Sequence, residues 1–138
     1  MDKKLLALLG SPHKDGATGT MLRYVLQIAG QQGWQIEFVN LYEQRIDYCK
    51  GCRVCIKTGN CVQKDDVQKM SRLIRECDMV VLAAPFSFLC GQSTGAIRSM
   101  KEFFKASGMK YAGKCVWAGR DKKTLPIHIK KKIENILK

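Results

Sequence analysis

The 138-residue sequence contains no apolar run long enough to cross a membrane. Its first residues, Met1-Asp2-Lys3-Lys4, lead straight into a five-residue apolar stretch rather than the longer core of a signal peptide. These absences imply a soluble, cytoplasmic protein. Acidic residues are scarce: 12 Asp and Glu stand against 24 Lys and Arg, a net charge of +12. Residues 1–97 hold 12 basic and 9 acidic side chains, and residues 98–138 hold 12 and 3. No aromatic stripe interleaves the C-terminal lysines as a nucleic-acid stacking platform requires, so nucleic acid is a weak candidate. A solvated lysine-rich face, or a face for acidic partners, explains the charge better. Two nucleotide signatures are also missing. Gly16 is followed by Ala17-Thr18 instead of the Lys-Ser/Thr of an ATP or GTP loop, and Ser11-Pro12 stands where a dinucleotide fingerprint needs its second glycine. Seven cysteines, an odd count, are expected to be reduced or metal-bound rather than paired in disulfides. There is no convincing His/Asp/Cys catalytic constellation, no internal repeat and no linker. The length suits one domain over 1–138.

What is present begins at Leu5 to Thr20, LLALLGSPHKDGATGT. Five unbroken apolar residues ending at Gly10 suit a strand buried on both faces. The polar loop that follows runs into a helical pattern, so its backbone N–H groups and the positive end of the helix point into one cavity, as a phosphate requires. Ser11, Thr18 and Thr20 add hydroxyls, and His13 and Lys14 add charge. A hydroxyl-rich loop without fingerprint glycines suits a mononucleotide such as FMN; an ordinary strand-to-helix turn is the plainer alternative.

Met21, Leu22, Val25, Leu26, Ile28 and Ala29 mark one face of a helix over about Thr18–Gln32, and Trp34–Asn40 alternates as a second strand. Asp65 or Asp66 caps a helix with Val67, Met70, Ile74 and Cys77 inward, and Met79–Ala84 is a third buried strand. The loop after Pro85 stays apolar, as a ligand crevice requires. A helix over Thr94–Ala106 and a short fourth strand over Lys114–Ala118 follow. The tail from Thr124 reads as a helix capped by Thr124 with Ile129, Ile133 and Ile136 on one side, or else as an edge strand through Leu125, Ile127 and Ile129. The sum is a three-layer α/β domain with a parallel sheet of order 2-1-3-4, whose loops after strands one and three converge at the switch point.

Cys49, Cys52, Cys55 and Cys61 have the spacing CxxCxxCx5C, which lets four thiolates surround one compact centre. A [4Fe–4S] cluster fits the two x2 gaps; zinc, which favours separated CxxC pairs, and a metal-free cysteine loop stay open. Lys50, Arg53 and Lys57 would keep the thiolates ionised. Cys77 and Cys115 read as packing residues, and Cys90 falls in the apolar loop.

Together these motifs resemble the NADPH-dependent FMN reductase superfamily, in its iron–sulfur flavoprotein branch. GSPHKDGAT (Gly10–Thr18) is similar to the family's phosphate loop, the cysteine segment through KTGNCVQKDD to its cluster motif, and AAPFSFLCGQSTGAIRSMKEFF (Ala83–Phe104) to its third strand and the helix after it. The resemblance implies a flavodoxin-like fold binding FMN, with Ser11, His13, Ala17 and Thr18 around the phosphate and Pro85, Phe86, Ser87, Phe88 and Gly91 along the flavin. It implies electron transfer from NAD(P)H or a ferredoxin-like carrier through FMN to a cluster on the four cysteines of the 49–61 insert. It also implies a homo-oligomer with that insert near a neighbour's flavin. His13 stands in place of the family arginine and Ala17 in place of an asparagine, and the basic tail 119–138 replaces the family's later glycine-rich loop and fifth strand. A shortened, non-enzymatic carrier docking acidic partners through Lys122–Lys132 is the competing expectation.

Overall fold

Leu5, Leu6, Ala7, Leu8 and Leu9 are each at most 7% exposed, because their strand lies in the middle of a sheet covered on both sides. The computed structural model describes residues 3–85, 109–110, 112–113, 115 and 124–137. Among these, strands β1 (Lys4–Leu9), β2 (Gln35–Asn40) and β3 (Met79–Ala83) form a parallel sheet of order β2-β1-β3. Lys4 to Leu9 pair in step with Gln35 to Asn40, and Leu5 to Leu9 with Met79 to Ala83. The first three positions of the expected order are therefore observed. The predicted helix over Thr94–Ala106 lies outside the described residues, as does all but Cys115 of the predicted fourth strand.

Strand periodicity splits the apolar run between two cores. Leu5, Ala7 and Leu9 face helices α1 (Ala17–Gln31) and α4 (Ile127–Leu137), packing with Leu22, Ala29, Leu125, Ile129, Ile133 and Leu137. Leu6 and Leu8 face α3 (Val67–Glu76), packing with Val39 and Met70. Each face thus has its own helix layer. Cys77 packs against the second core and Cys115 against the first, and burial pushes both thiols up from their ordinary pKa, as suits packing groups. The alternation of β2 gives only a partly covered strand: Val39 and Asn40 are buried, while Ile36 and Phe38 stay 37% and 46% exposed on the sheet edge.

Helix α1 ends where Gly33 adopts φ +80°, letting Gly33 N–H reach Gly30 O and Trp34 N–H reach Ala29 O at 3.1 Å each. The tail is helical, not an edge strand. Its cap is not Thr124: the Pro126 carbonyl accepts the first helical bonds, from Ile129 and Lys130 N–H, and α4 starts at Ile127. Proline has no N–H to contribute, so the position just outside the first turn suits it. The outward side of α4 is clasped to α1. Tyr24 Oη donates to Glu134 Oε1 at 2.6 Å, which raises the tyrosine pKa, and Lys130 Nζ lies 5.5 Å from the Tyr24 ring centre.

Candidate functional site

A parallel sheet puts the C-terminal ends of its strands at one edge. Here Gly10 N–H donates to Ala83 O at 2.8 Å just past the ends of β1 and β3. The loops leaving the two strands therefore start side by side. From β2, a 3-10 turn (Leu41–Glu43) leaves the same edge, with buried Asn40 accepting from Tyr42 N–H through Oδ1 at 3.2 Å.

Pro12, His13, Lys14, Asp15 and Gly16 line an open concavity at this edge. Ser11 is buried, and its hydroxyl is folded into the loop: Oγ accepts from His13 N–H at 3.3 Å and donates to His13 O at 3.4 Å. This is a local turn device, so Ser11 shapes the loop as well as lining it. The His13 side chain is exposed, with no side-chain partner among the described residues. Lys14 Nζ pairs with Glu43 Oε1, joining the loop to the 3-10 turn. That contact, then Asn40, holds the Glu43 carboxyl below its ordinary value. A depressed carboxyl keeps its tie above the ordinary glutamate range and loses it as pH falls through the lowered value. With both side chains more than half exposed, solvent screening keeps the energy small. Replacing Lys14 with methionine is expected to move the Glu43 titration midpoint upward, read by NMR.

Helix α1 opens without a capping side chain. Gly16 is the N-cap, and Thr20 N–H makes the first helical bond, to Gly16 O at 2.9 Å. The amides of Ala17, Thr18 and Gly19 precede it and have no intrahelical acceptor. Ala17 and Thr18, half-buried, therefore bring their backbone N–H groups to the loop. Two residues that motif reading passed over hold the loop in place. Gly19 is buried, and a Cβ on it would overlap the Lys14 carbonyl, coming 2.7 Å from its carbon. Arg23 reaches back to Lys14 O and Asp15 Oδ1 at 3.0 Å each and to Thr20 Oγ1 at 3.2 Å. A glycine three residues into a helix, and an arginine one turn further on, were the available signals. Open amides, a loop seated on the helix and a Cβ-free contact together fit a bound phosphate.

Of the residues expected along a flavin ring, Pro85 is exposed just beyond β3; Phe86, Ser87, Phe88 and Gly91 lie outside the described residues, as does Cys90.

The cysteine segment is exposed. Cys49, Cys52 and Cys55 are exposed, Cys61 is half-buried, and all four are free thiols. Arg53, at φ +59°, starts the short helix α2 (Val54–Thr58), and Gly59, at φ +73°, ends it. Among the described residues no three His, Cys, Asp or Glu side chains converge as a metal site. The four-thiol donor set matches an iron–sulfur centre in chemistry. Both ends of the segment are tied to the start of α3. Arg45 N–H donates to Asp66 Oδ2 at 2.7 Å, Asp66 N–H to Arg45 O at 2.9 Å, and Asp47 N–H to Asp65 Oδ2 at 3.0 Å. Gln68 Nε2 donates to Cys61 O at 2.8 Å and Gln63 O at 3.1 Å. Both aspartates therefore serve the loop base; Asp65 also accepts from Val67 N–H, the first amide of α3, through Oδ1 at 3.2 Å, while Asp66, at the N-cap position, makes no side-chain capping bond. Asp66→Ala removes one tie worth about 1 kcal/mol. Limited proteolysis across residues 48–64 is expected to run about fivefold faster, with cleavage tracking the open population.

No helix among the described residues is long and apolar enough to cross a membrane. The family model described as NADPH-dependent FMN reductase matches residues 3–119. An iron–sulfur flavoprotein of Archaeoglobus fulgidus is 40% identical over 86 residues, 62% of this chain and 39% of that protein. A second from the same organism is 36% identical over 97 residues, 70% of this chain and 46% of its own length. An iron–sulfur flavoprotein of Methanocaldococcus jannaschii is 31% identical over 85 residues, covering 62% and 44%. The matches span less than half the length of these relatives.

Proposed function

This chain belongs to the NADPH-dependent FMN reductase family, and on that premise we propose that it is an FMN-dependent oxidoreductase. It takes electrons from NAD(P)H or a reduced carrier and passes them through FMN and a [4Fe–4S] cluster. The fold is flavodoxin-like. The observation that carries the reading is the seating of the loop after β1 on the open end of α1, beside the end of β3. In this reading the amides of Ala17 and Thr18 meet the FMN phosphate, Ser11 holds the turn that presents them, and His13 lies at its rim. Pro85, with Phe86, Ser87, Phe88 and Gly91, forms the wall along the flavin. FMN supplies the redox chemistry when bound, so the chain needs to bind, orient and shield it rather than provide an acid–base pair.

Cys49, Cys52, Cys55 and Cys61 would hold the cluster, whose chemistry is single-electron relay. The similarity to iron–sulfur flavoproteins and the four-thiol donor set support this assignment. Tyr48 and Ile56, next in sequence to Cys49 and Cys55, are 98% and 77% exposed, which supports a homo-oligomer contact there. The competing function, a carrier without hydride chemistry, draws support from the exposed Lys131 and Lys132 of α4, a basic face for an acidic partner.

The test is anaerobic purification followed by a visible spectrum, with FMN and iron quantified and NADPH then added. Flavin bands, a broad iron–sulfur shoulder and bleaching by NADPH are expected. Bleaching only by reduced ferredoxin would favour the carrier, and absence of flavin and iron would reject both.

A further inference from the structure

We propose that Arg23 is a positioning residue for the phosphate loop and sets this chain's preference for a phosphorylated over an unphosphorylated flavin. The inference rests on the FMN reading above and adds to it a residue outside the loop motif.

The loop's own ties are weak. Within residues 10–16 they are the two Ser11–His13 contacts at 3.3 and 3.4 Å and Gly16 N–H to His13 O at 3.3 Å. All three gather on His13 and leave the centre of the loop, Lys14 and Asp15, to outside partners. Lys14 has the exposed ion pair with Glu43, which fixes the side chain and not the backbone. The backbone there is held by Arg23. One guanidinium nitrogen takes both the Lys14 carbonyl and the Asp15 carboxylate at 3.0 Å, and the other takes Thr20 Oγ1 at 3.2 Å. A planar guanidinium spans these three acceptors at once, and the shorter point charge of a lysine does not.

Gly19 gives an independent reason to place control at this carbonyl. The Lys14 carbonyl sits where a Cβ on residue 19 would be, so loop and helix are in direct backbone contact. The amides before Thr20 belong to the same turn of α1. Arg23 thus fixes the Lys14 peptide against the turn whose amides the phosphate would meet, and it does so from its own place seven positions into α1. It acts through the loop. Its charge is already shared with Asp15.

FMN and riboflavin differ only in the phosphate, so the ratio of their affinities isolates the loop. Both are titrated by fluorescence into the full apo-chain and into Arg23→Met and Arg23→Lys, with apo melting temperatures recorded in parallel. Wild type is expected to prefer FMN. Arg23→Met should lower the FMN-to-riboflavin ratio about tenfold, the scale of losing hydrogen bonds from a charged donor, with riboflavin affinity and melting temperature unchanged. Arg23→Lys should recover only part of the loss. An unchanged ratio in Arg23→Met, full recovery in Arg23→Lys, or an equal fall in both affinities with a lowered melting temperature would each overturn the proposal. Failure of the underlying FMN reading shows earlier and separately, as a wild-type chain that binds both flavins alike or neither.

Discussion

Gly19→Ala is expected to weaken FMN binding by roughly 10- to 100-fold while leaving riboflavin binding nearly untouched. Alanine inside an ordinary helix gains about 1 kcal/mol over glycine. Here that gain is opposed by overlap with the Lys14 carbonyl, a backbone group that moves only if the loop moves. Overpacking against unyielding atoms costs about 1–3 kcal/mol, so the gain offsets only part of the cost and overall stability falls by up to about 2 kcal/mol. In the site there is no such offset. The relaxation that relieves the overlap lifts the loop off the first turn of α1, and the groups that would meet a phosphate separate. Calorimetric titration of the two flavins, with a thermal melt, checks both halves. An FMN affinity equal to wild type would show that the loop adapts without cost.

Ile133→Ala should destabilise the fold by about 2–4 kcal/mol, the usual cost of emptying a well-packed isoleucine site. That loss corresponds to a fall in melting temperature of about 10 °C. Ile133 is 3% exposed and lies with Ile129 and Leu137 against α1 and the face of β1. Because α4 sits on the same side of the sheet as α1, a loosened α4 also loosens the helix whose first turn forms the candidate site. A chemical-denaturation midpoint with unchanged slope would confirm a pure stability effect. A change below about 0.5 kcal/mol would mean that α4 is not part of the folded core.

The sheet centre was legible because its cause is local. An unbroken Leu5–Leu9 run admits only a strand covered on both sides, and the Gly33 boundary follows from the positive φ that glycine adopts at the end of α1. Helix α1, expected over Thr18–Gln32, occupies Ala17–Gln31, and β3, expected over Met79–Ala84, occupies Met79–Ala83. The alternation of β2 was legible as a strand but not as burial. Whether Ile36 and Phe38 are covered depends on how far the helix layer reaches past the sheet edge, which is a tertiary matter. The cap of α4 was misplaced because Thr124 and Pro126 both favour a helix start, and only the path from Leu125 decides between them. At the candidate site the motif pointed to the residues of the loop itself. It could not reveal those behind the loop, Gly19 and Arg23, since the contact they share is the Lys14 peptide group, whose position no side-chain pattern encodes. The α3 ties of the cysteine segment were hidden for the same reason: Asp65 reads as a cap, and its Oδ1 does accept from Val67 N–H, but its other oxygen and Asp66 receive the backbone N–H groups of Asp47 and Arg45, which only the fold brings beside them.

The hydrogen bond from Tyr24 to Glu134 joins positions 110 residues apart. Closing so long a loop adds little to the equilibrium cost, which rises only with the logarithm of length. Its weight falls on biogenesis. At ribosomal rates of about 5–20 residues per second, roughly 5–20 s separate the emergence of α1 from that of α4. During that interval the side of β1 carrying Leu5, Ala7 and Leu9 has one of the two helices described on it in place and waits, apolar and half-roofed, for the other. A nascent chain in that condition is a natural client for a chaperone that shields apolar surface, and release from it would be timed by the last turn of α4.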